Sequence, residues 1–142
     1  MFKVSETAII ERPPEEVFPV AADPQTQLKW DPGTLKSVEK LTAGPLGQGS
    51  RYRGKFKGFG TMEYEFAEYE PGRRFAHLAQ MAMGKMRHVF TFEPVAQGTR
   101  LTQEGFLEPN LLGRLMWPVM SRMLRSRFRL IASEVSQYLG TK

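Results

Sequence analysis

From residue 35 to 108 apolar and polar side chains alternate with a period of two, the pattern of strands that bury one face. The alternation predicts strands near 35–42, 49–57, 60–70, 73–82, 85–94 and 99–108, preceded by another over 2–11. The pair Pro13-Pro14 stops the first strand, and Pro14 suits the first turn of a helix, where its missing N–H costs nothing. Glu15 and Glu16 favour the same helix start electrostatically. A helix is therefore predicted over Pro14–Ala22, burying Val17, Phe18 and Ala21. A second short helix opens at Asp23-Pro24, carries Leu28 and ends near Trp30. The last segment, Leu111 to Leu139, changes to helical spacing, with Leu112, Met116, Val119, Met120, Met123, Leu124, Phe128, Ile131, Val135 and Tyr138 as its apolar positions. Pro118 is expected to kink it.

Turn chemistry sets the strand registers. A three-residue loop at Gly58-Phe59-Gly60 puts Phe56 opposite Met62 and Tyr52 opposite Phe66. A two-residue turn at Pro71-Gly72 puts Phe66 opposite His77. A turn centred on Met83-Gly84 sets Met81 against Met86 and His77 against Phe90, leaving His77 and His88 diagonal. The last hairpin, at Gln97-Gly98, sets Phe92 against Leu101 and Phe90 against Gln103. All four turns give one apolar face, which includes Tyr52, Phe56, Met62, Tyr64, Phe66, Phe75, His77, Met81, Met86, His88, Phe90 and Gln103. The other face alternates in charge through Arg51, Arg53, Glu63, Glu65, Arg74, Arg87, Glu93, Arg100 and Glu104, as a solvated surface does. The apolar face needs a cover, and the long C-terminal helix is the segment long enough to supply it.

Composition narrows the chemistry. The 142 residues suit one domain, 1–142. Cysteine is absent and there are two histidines, which excludes disulfides, thiolate chemistry and a histidine-rich metal site. No apolar run approaches a membrane span, and no signal peptide is visible at Met1-Phe2-Lys3, so a cytoplasmic location is the expectation. The net charge is +5, yet residues 1–110 balance 14 basic against 14 acidic side chains. The whole excess lies in 111–142, with Arg114, Arg122, Arg125, Arg127, Arg129 and Lys142 against Glu134. Arg114, Arg122, Arg125 and Arg129 share a helix side away from the apolar positions. That side is either a solvated helix face or a docking surface for an acidic partner or anionic membrane. Nucleic-acid binding is not expected, because the aromatics belong mostly to the other face.

Several stretches, taken in order, resemble one family. They are Glu11-Arg-Pro-Pro-Glu-Glu-Val-Phe18, Asp23-Pro24 with Trp30-Asp-Pro32, Gly47-Gln-Gly-Ser-Arg-Tyr52, Glu70-Pro-Gly-Arg73, Phe92-Glu-Pro94 and Gly98-Thr-Arg-Leu-Thr102. Together they resemble the START-like (SRPBCC) superfamily, in particular its polyketide cyclase/dehydrase-like branch. The resemblance implies an α+β helix-grip fold. In that fold a curved antiparallel sheet of about seven strands wraps around a long C-terminal helix, with two short helices after the first strand. It also implies a cavity between sheet and helix for a hydrophobic small molecule, such as a lipid, polyketide or quinone-like compound. The protein would act as carrier or sensor, or as a cyclase/aromatase- or dehydratase-type enzyme.

The residues expected around such a ligand are Trp30, Tyr52, Phe56, Tyr64, Phe66, His77, Met81, His88, Phe90, Gln103, Met120 and Arg127. Aromatic and methionine side chains make an adaptable apolar lining, or simply a core. His77 and His88 could bind a carbonyl or move a proton, or be buried neutral residues. Tyr52 and Tyr64 could aim hydroxyls at the ligand. Gln103 needs a partner if buried. Trp30 either caps a cavity mouth or staples its helix to the sheet, and Arg127 could reach a ligand carboxylate. Glu6 shares parity with Val4 and Ile10, so it is either an inward carboxylate or a strand-end residue near solvent. Neither a catalytic constellation, a metal site nor a cofactor is called for. The glycine-rich Gly44–Gly49 stretch lacks the Gly-Lys-Ser/Thr ending of a phosphate loop.

Overall fold

A computed structural model describes residues 1–140, so Lys142 of the basic segment lies outside the described residues. The chain runs β1 (Phe2–Ile10), α1 (Pro14–Ala22), α2 (Pro24–Trp30), β2 (Leu35–Lys40), β3 (Arg51–Phe56), β4 (Gly60–Glu70), β5 (Arg74–Met81), β6 (Gly84–Val95), β7 (Gly98–Pro109) and α3 (Leu111–Gly140). The strands form one antiparallel sheet in the order β1-β7-β6-β5-β4-β3-β2. This is the expected α+β helix-grip arrangement, with two short helices after β1 and the long helix last.

The period-two pattern is visible in β7, where Thr99, Leu101, Gln103, Gly105 and Leu107 are buried and their neighbours are not. On the opposite face Arg53 reaches Glu39 at 3.0 Å and Glu63 at 3.1 Å, and Arg74 reaches Glu68 at 3.1 Å. These exposed pairs contribute little individually.

Two predicted registers are corrected by two residues each. Phe56 pairs with Gly60 and Tyr52 with Tyr64, because the β3–β4 loop is Lys57-Gly58-Phe59. Met81 pairs with Gly84 and Ala79 with Met86, because the β5–β6 turn is Ala82-Met83. His77 therefore lies directly opposite His88, not diagonal to it, and Phe75 opposite Phe90. A slip of two keeps every side chain on its face, so the inner face survives. The Phe66–His77 pair stands by two compensating departures. The turn spans three residues, 71–73, and a bulge at Ala67 restores the register. Phe92 meets Leu101 and Phe90 meets Gln103 as expected.

The C-terminal helix departs more. Leu112, Met116, Val119 and Met123, expected against the sheet, are exposed. The seam that faces inward is Gly113, Trp117, Met120, Leu124, Phe128, Ile131, Val135 and Leu139, spaced by three and four. Its phase is set at the helix start. Asn110 Oδ1 accepts from the Gly113 N–H at 2.9 Å, while Asn110 Nδ2 donates to the Ala82 carbonyl at 2.8 Å. A Cβ on Gly113 would stand 2.1 Å from the Met83 carbonyl oxygen, so only glycine lets α3 begin against that turn. Pro118 sits inside a helix that continues through it.

α3 packs over β1 and β7. Gly105 makes the seat, since Phe128 Cζ, Met86 Cε and Val4 Cγ2 lie 3.0, 3.1 and 3.3 Å from where its Cβ would be. Because the helix sits over that edge, the inner face of β3–β6 is only partly covered.

Candidate functional site

Where the helix leaves the sheet, a cavity of about 140 Å³ opens between β3–β6, α2 and α3. The sheet contributes alternate residues of four strands, among them Phe56, Tyr64, His77, Met81, His88 and Phe90. Trp30 comes from the end of α2, and Leu124, Arg127, Phe128 and Ile131 come from α3. Phe59, Met81 and Leu124 keep part of their surface in solvent and mark the open side. The volume is close to that of an engineered cavity of ~150 Å³ that binds benzene, so the enclosed part holds about one ring.

Among the described residues, two buried polar atoms on this lining have no hydrogen-bond partner: Tyr64 Oη and His77 Nε2. The rings of Tyr64 and His77 lie 4.8 Å apart between centroids. Burial raises the Tyr64 phenol above its ordinary value of 10, with Tyr52 and Asp23 adding to it. Burial lowers His77 from 6.5 to about 3. Both groups are therefore neutral near pH 7.

His88 is held differently. Its ring stacks between Phe90 at 4.1 Å and Phe128 at 4.3 Å. Its Nε2 lies 3.1 Å from Gln103 Oε1, while Gln103 Nε2 donates to the Phe128 carbonyl at 2.7 Å. Since the amide nitrogen is committed to that carbonyl, Oε1 must accept, and the His88 proton sits on Nε2. Burial, with His77 opposite, Gln103 opposing and Arg127 further off, holds His88 well below 6.5.

At one wall an ion cluster joins α2 to α3. Asp31 has no side-chain exposure. It accepts from Arg127 at 3.2 and 2.5 Å and from Gln27 at 3.0 Å. Glu134 lies 3.7 Å from the same guanidinium. Burial and the neighbouring Asp31 raise Glu134 from 4.5 to about 7, against the pull of Arg127. Arg127 lines the cavity, but its guanidinium is engaged by these carboxylates rather than free for a ligand carboxylate, as the sequence had suggested.

The other expected residues fall in several places. Trp30 is buried in the cavity lining rather than capping its mouth, and its Nε1–H donates to the Val20 carbonyl at 2.8 Å, tying α2 to α1 rather than to the sheet. Tyr52 stacks behind Tyr64 at 5.9 Å, and Phe66 packs on His77 at 4.7 Å, both off the lining. Gln103 supports His88 from behind, toward a separate groove between β1 and α3. Met120 packs with Met86 and Leu107, off the lining. Glu6 lies under α3, where Arg129 donates to it at 2.6 Å and Arg125 approaches to 3.7 Å. Two arginines of the supposed free basic face are thus engaged. Gln27, Thr34, Phe59 and Phe128 join the lining beyond the residues expected from sequence. Parity signalled Met62 and Met86, but Gln27 and Thr34 carry no pattern that singles them out.

Comparison with known proteins agrees with the geometry. No curated protein is significantly similar to the chain in sequence. Among solved structures, a Mesorhizobium loti protein superposes with a TM-score of 0.76 at 17% identity, covering 99% of this chain and 98% of its own. Ara h 8.0201 gives 0.74 at 13% identity, with 99% of each chain covered. A protein of the dynemicin biosynthetic locus gives 0.74 at 17% identity over 98% of this chain and 47% of its own. At such identities the likeness shows the fold. The family model for polyketide cyclase / dehydrase and lipid transport matches residues 1–139, so the chain belongs to that family, within the SRPBCC helix-grip proteins.

Proposed function

We propose that this protein holds a hydrophobic small molecule in the cavity between the sheet and α3, as a carrier or sensor. The observation that carries the reading is the pair Tyr64 Oη and His77 Nε2, buried without partners on a mostly apolar lining. An unpaired buried polar atom costs about 1–3 kcal/mol. A ligand oxygen, as in a ketone, quinone or phenol, recovers part of that cost, and the rings of Phe56, Phe90 and Phe128 take the apolar body. The enclosed volume suits one ring, with any longer chain leaving past Phe59 and Leu124. Membership of the family supports a hydrophobic ligand.

The enzyme reading, a cyclase/aromatase- or dehydratase-type reaction, draws on the closeness of Tyr64 and His77. Protonating His77 at neutral pH is unfavourable, since its value is about 3, and the Tyr64 phenol is a weaker acid than usual. Hydrogen bonding to a resident ligand therefore fits the pair better than proton transfer.

The test is native mass spectrometry of gently purified protein, followed by titration with an anilinonaphthalene probe and with any co-purified compound. Tyr64→Phe is expected to leave the unliganded protein at least as stable and to weaken the co-purified ligand five- to hundredfold. Unchanged affinity in both Tyr64→Phe and His77→Phe, or no binding of any apolar compound, refutes the proposal.

A further inference from the structure

The first half of α3 carries a row of large apolar side chains on its outer side. Leu111, Leu115 and Val119 are 75%, 71% and 56% exposed, with Leu112 and Met123 near one half. They follow at helical spacing, opposite the inward seam of Gly113, Trp117 and Met120. An ordinary surface helix presents polar residues there, and a contiguous apolar stripe of this kind marks an interaction site. Three arginines border it, Arg114, Arg122 and Arg125. No acidic residue occurs between Glu108 and Glu134. Among the described ion pairs, Arg125 touches Glu6 only at 3.7 Å, and neither Arg114 nor Arg122 takes part.

We infer that this face of α3 docks on the surface of an anionic membrane. Its apolar stripe enters the boundary between headgroups and acyl chains, and the arginines meet the phosphates. The charge decides the occupant. A second copy packed on the same stripe about a two-fold axis would bring the Arg114 and Arg122 side chains of both copies into one interface, with no acidic residue in the segment to offset them. An anionic lipid surface complements both the stripe and its cationic edge. Among the described residues no helix is long and apolar enough to cross a membrane, and an amphipathic helix of this kind lies along the surface.

Sedimentation with vesicles tests this, using pure phosphatidylcholine and a phosphatidylcholine/phosphatidylglycerol mixture at low and high salt. The full chain is expected to bind the anionic vesicles, more weakly in high salt and far more weakly to the neutral ones. Arg114→Gln and Arg122→Gln are each expected to weaken binding about fivefold. Val119→Asp is expected to weaken it more than tenfold with an unchanged circular dichroism spectrum, since its side chain is more than half exposed. Equal failure of both vesicle types to bind overturns the inference. So does binding that Val119→Asp and the arginine variants leave intact. A concentration-dependent dimer abolished by Val119→Asp, without vesicle binding, assigns the stripe to a second copy and overturns it as well. Vesicle binding is read without ligand, so its failure is separate from failure of the cavity proposal.

Discussion

Glu134 offers a direct test of the cluster that fastens α3 to α2. Its carboxyl, raised from 4.5 to about 7 by burial and by Asp31, stays protonated in the folded chain at pH values where the unfolded chain has released the proton. Folding then binds a proton between about pH 4.5 and 7, so the contribution of this group to stability is fully present below 4.5 and is lost as pH rises through 7. Moving a carboxyl that far corresponds to about 3 kcal/mol at most. Glu134 keeps a fifth of its side chain in solvent, and screening there reduces the expected loss to about 1–2 kcal/mol. Glu134→Gln keeps the size of the side chain and removes the titration. Urea unfolding followed by tryptophan fluorescence suits the measurement, because buried Trp30 adjoins Asp31. The stability difference, variant minus wild type, should grow by about 1–2 kcal/mol between pH 5 and 8. A difference that stays flat across that range, or shrinks, would falsify the raised value of the Glu134 carboxyl.

Other outcomes follow from neighbouring residues. His77 gives the opposite pH slope: lowered from 6.5 to about 3, it supports the fold fully above pH 6.5 and progressively less as pH falls toward 3, so His77→Phe should show shallower acid denaturation. Gln103→Ala strands the His88 Nε2 proton and should cost about 1–3 kcal/mol in thermal or urea unfolding, whereas Gln103→Glu should restore part of it. Gly113→Ala drives a methyl into the Met83 carbonyl and should cost about 1–3 kcal/mol, while Leu115→Ala two residues on should cost almost nothing. Arg127→Met leaves Asp31 buried without its cation and should cost about 3–5 kcal/mol at pH 8.

Strand faces are far more legible in sequence than strand partners. The loop at Lys57-Gly58-Phe59 and the turn at Ala82-Met83 each displace a register by two, which moves Tyr52 onto Tyr64 and His77 onto His88 without moving either off the inner face. Parity therefore finds Phe56, Tyr64, His77, Met81, His88 and Phe90, all lining the cavity, but cannot separate them from Tyr52 and Phe66, which pack behind it. The helix is harder. Periodicity tells which residues share a side, and α3 has two apolar sides over its first turns. The choice between them rests on Gly113 and the Asn110 cap, neither of which registers as hydrophobic. The Asp31–Arg127 pair joins positions 96 residues apart and depends on how α3 docks, which no local pattern encodes.

The two attachments of α3 have a mechanical consequence. Asn110 pins its first turn to the β5–β6 hairpin, and Arg127 pins its middle to α2. Between the pins lies Pro118, which has no N–H to give to the Arg114 carbonyl. A rod clamped at two points and weakened between them bows more easily than it slides. Admission of a ligand larger than one ring would then occur by flexing of residues 114–124 while the clamps hold, and amide hydrogen exchange would be fastest in that span.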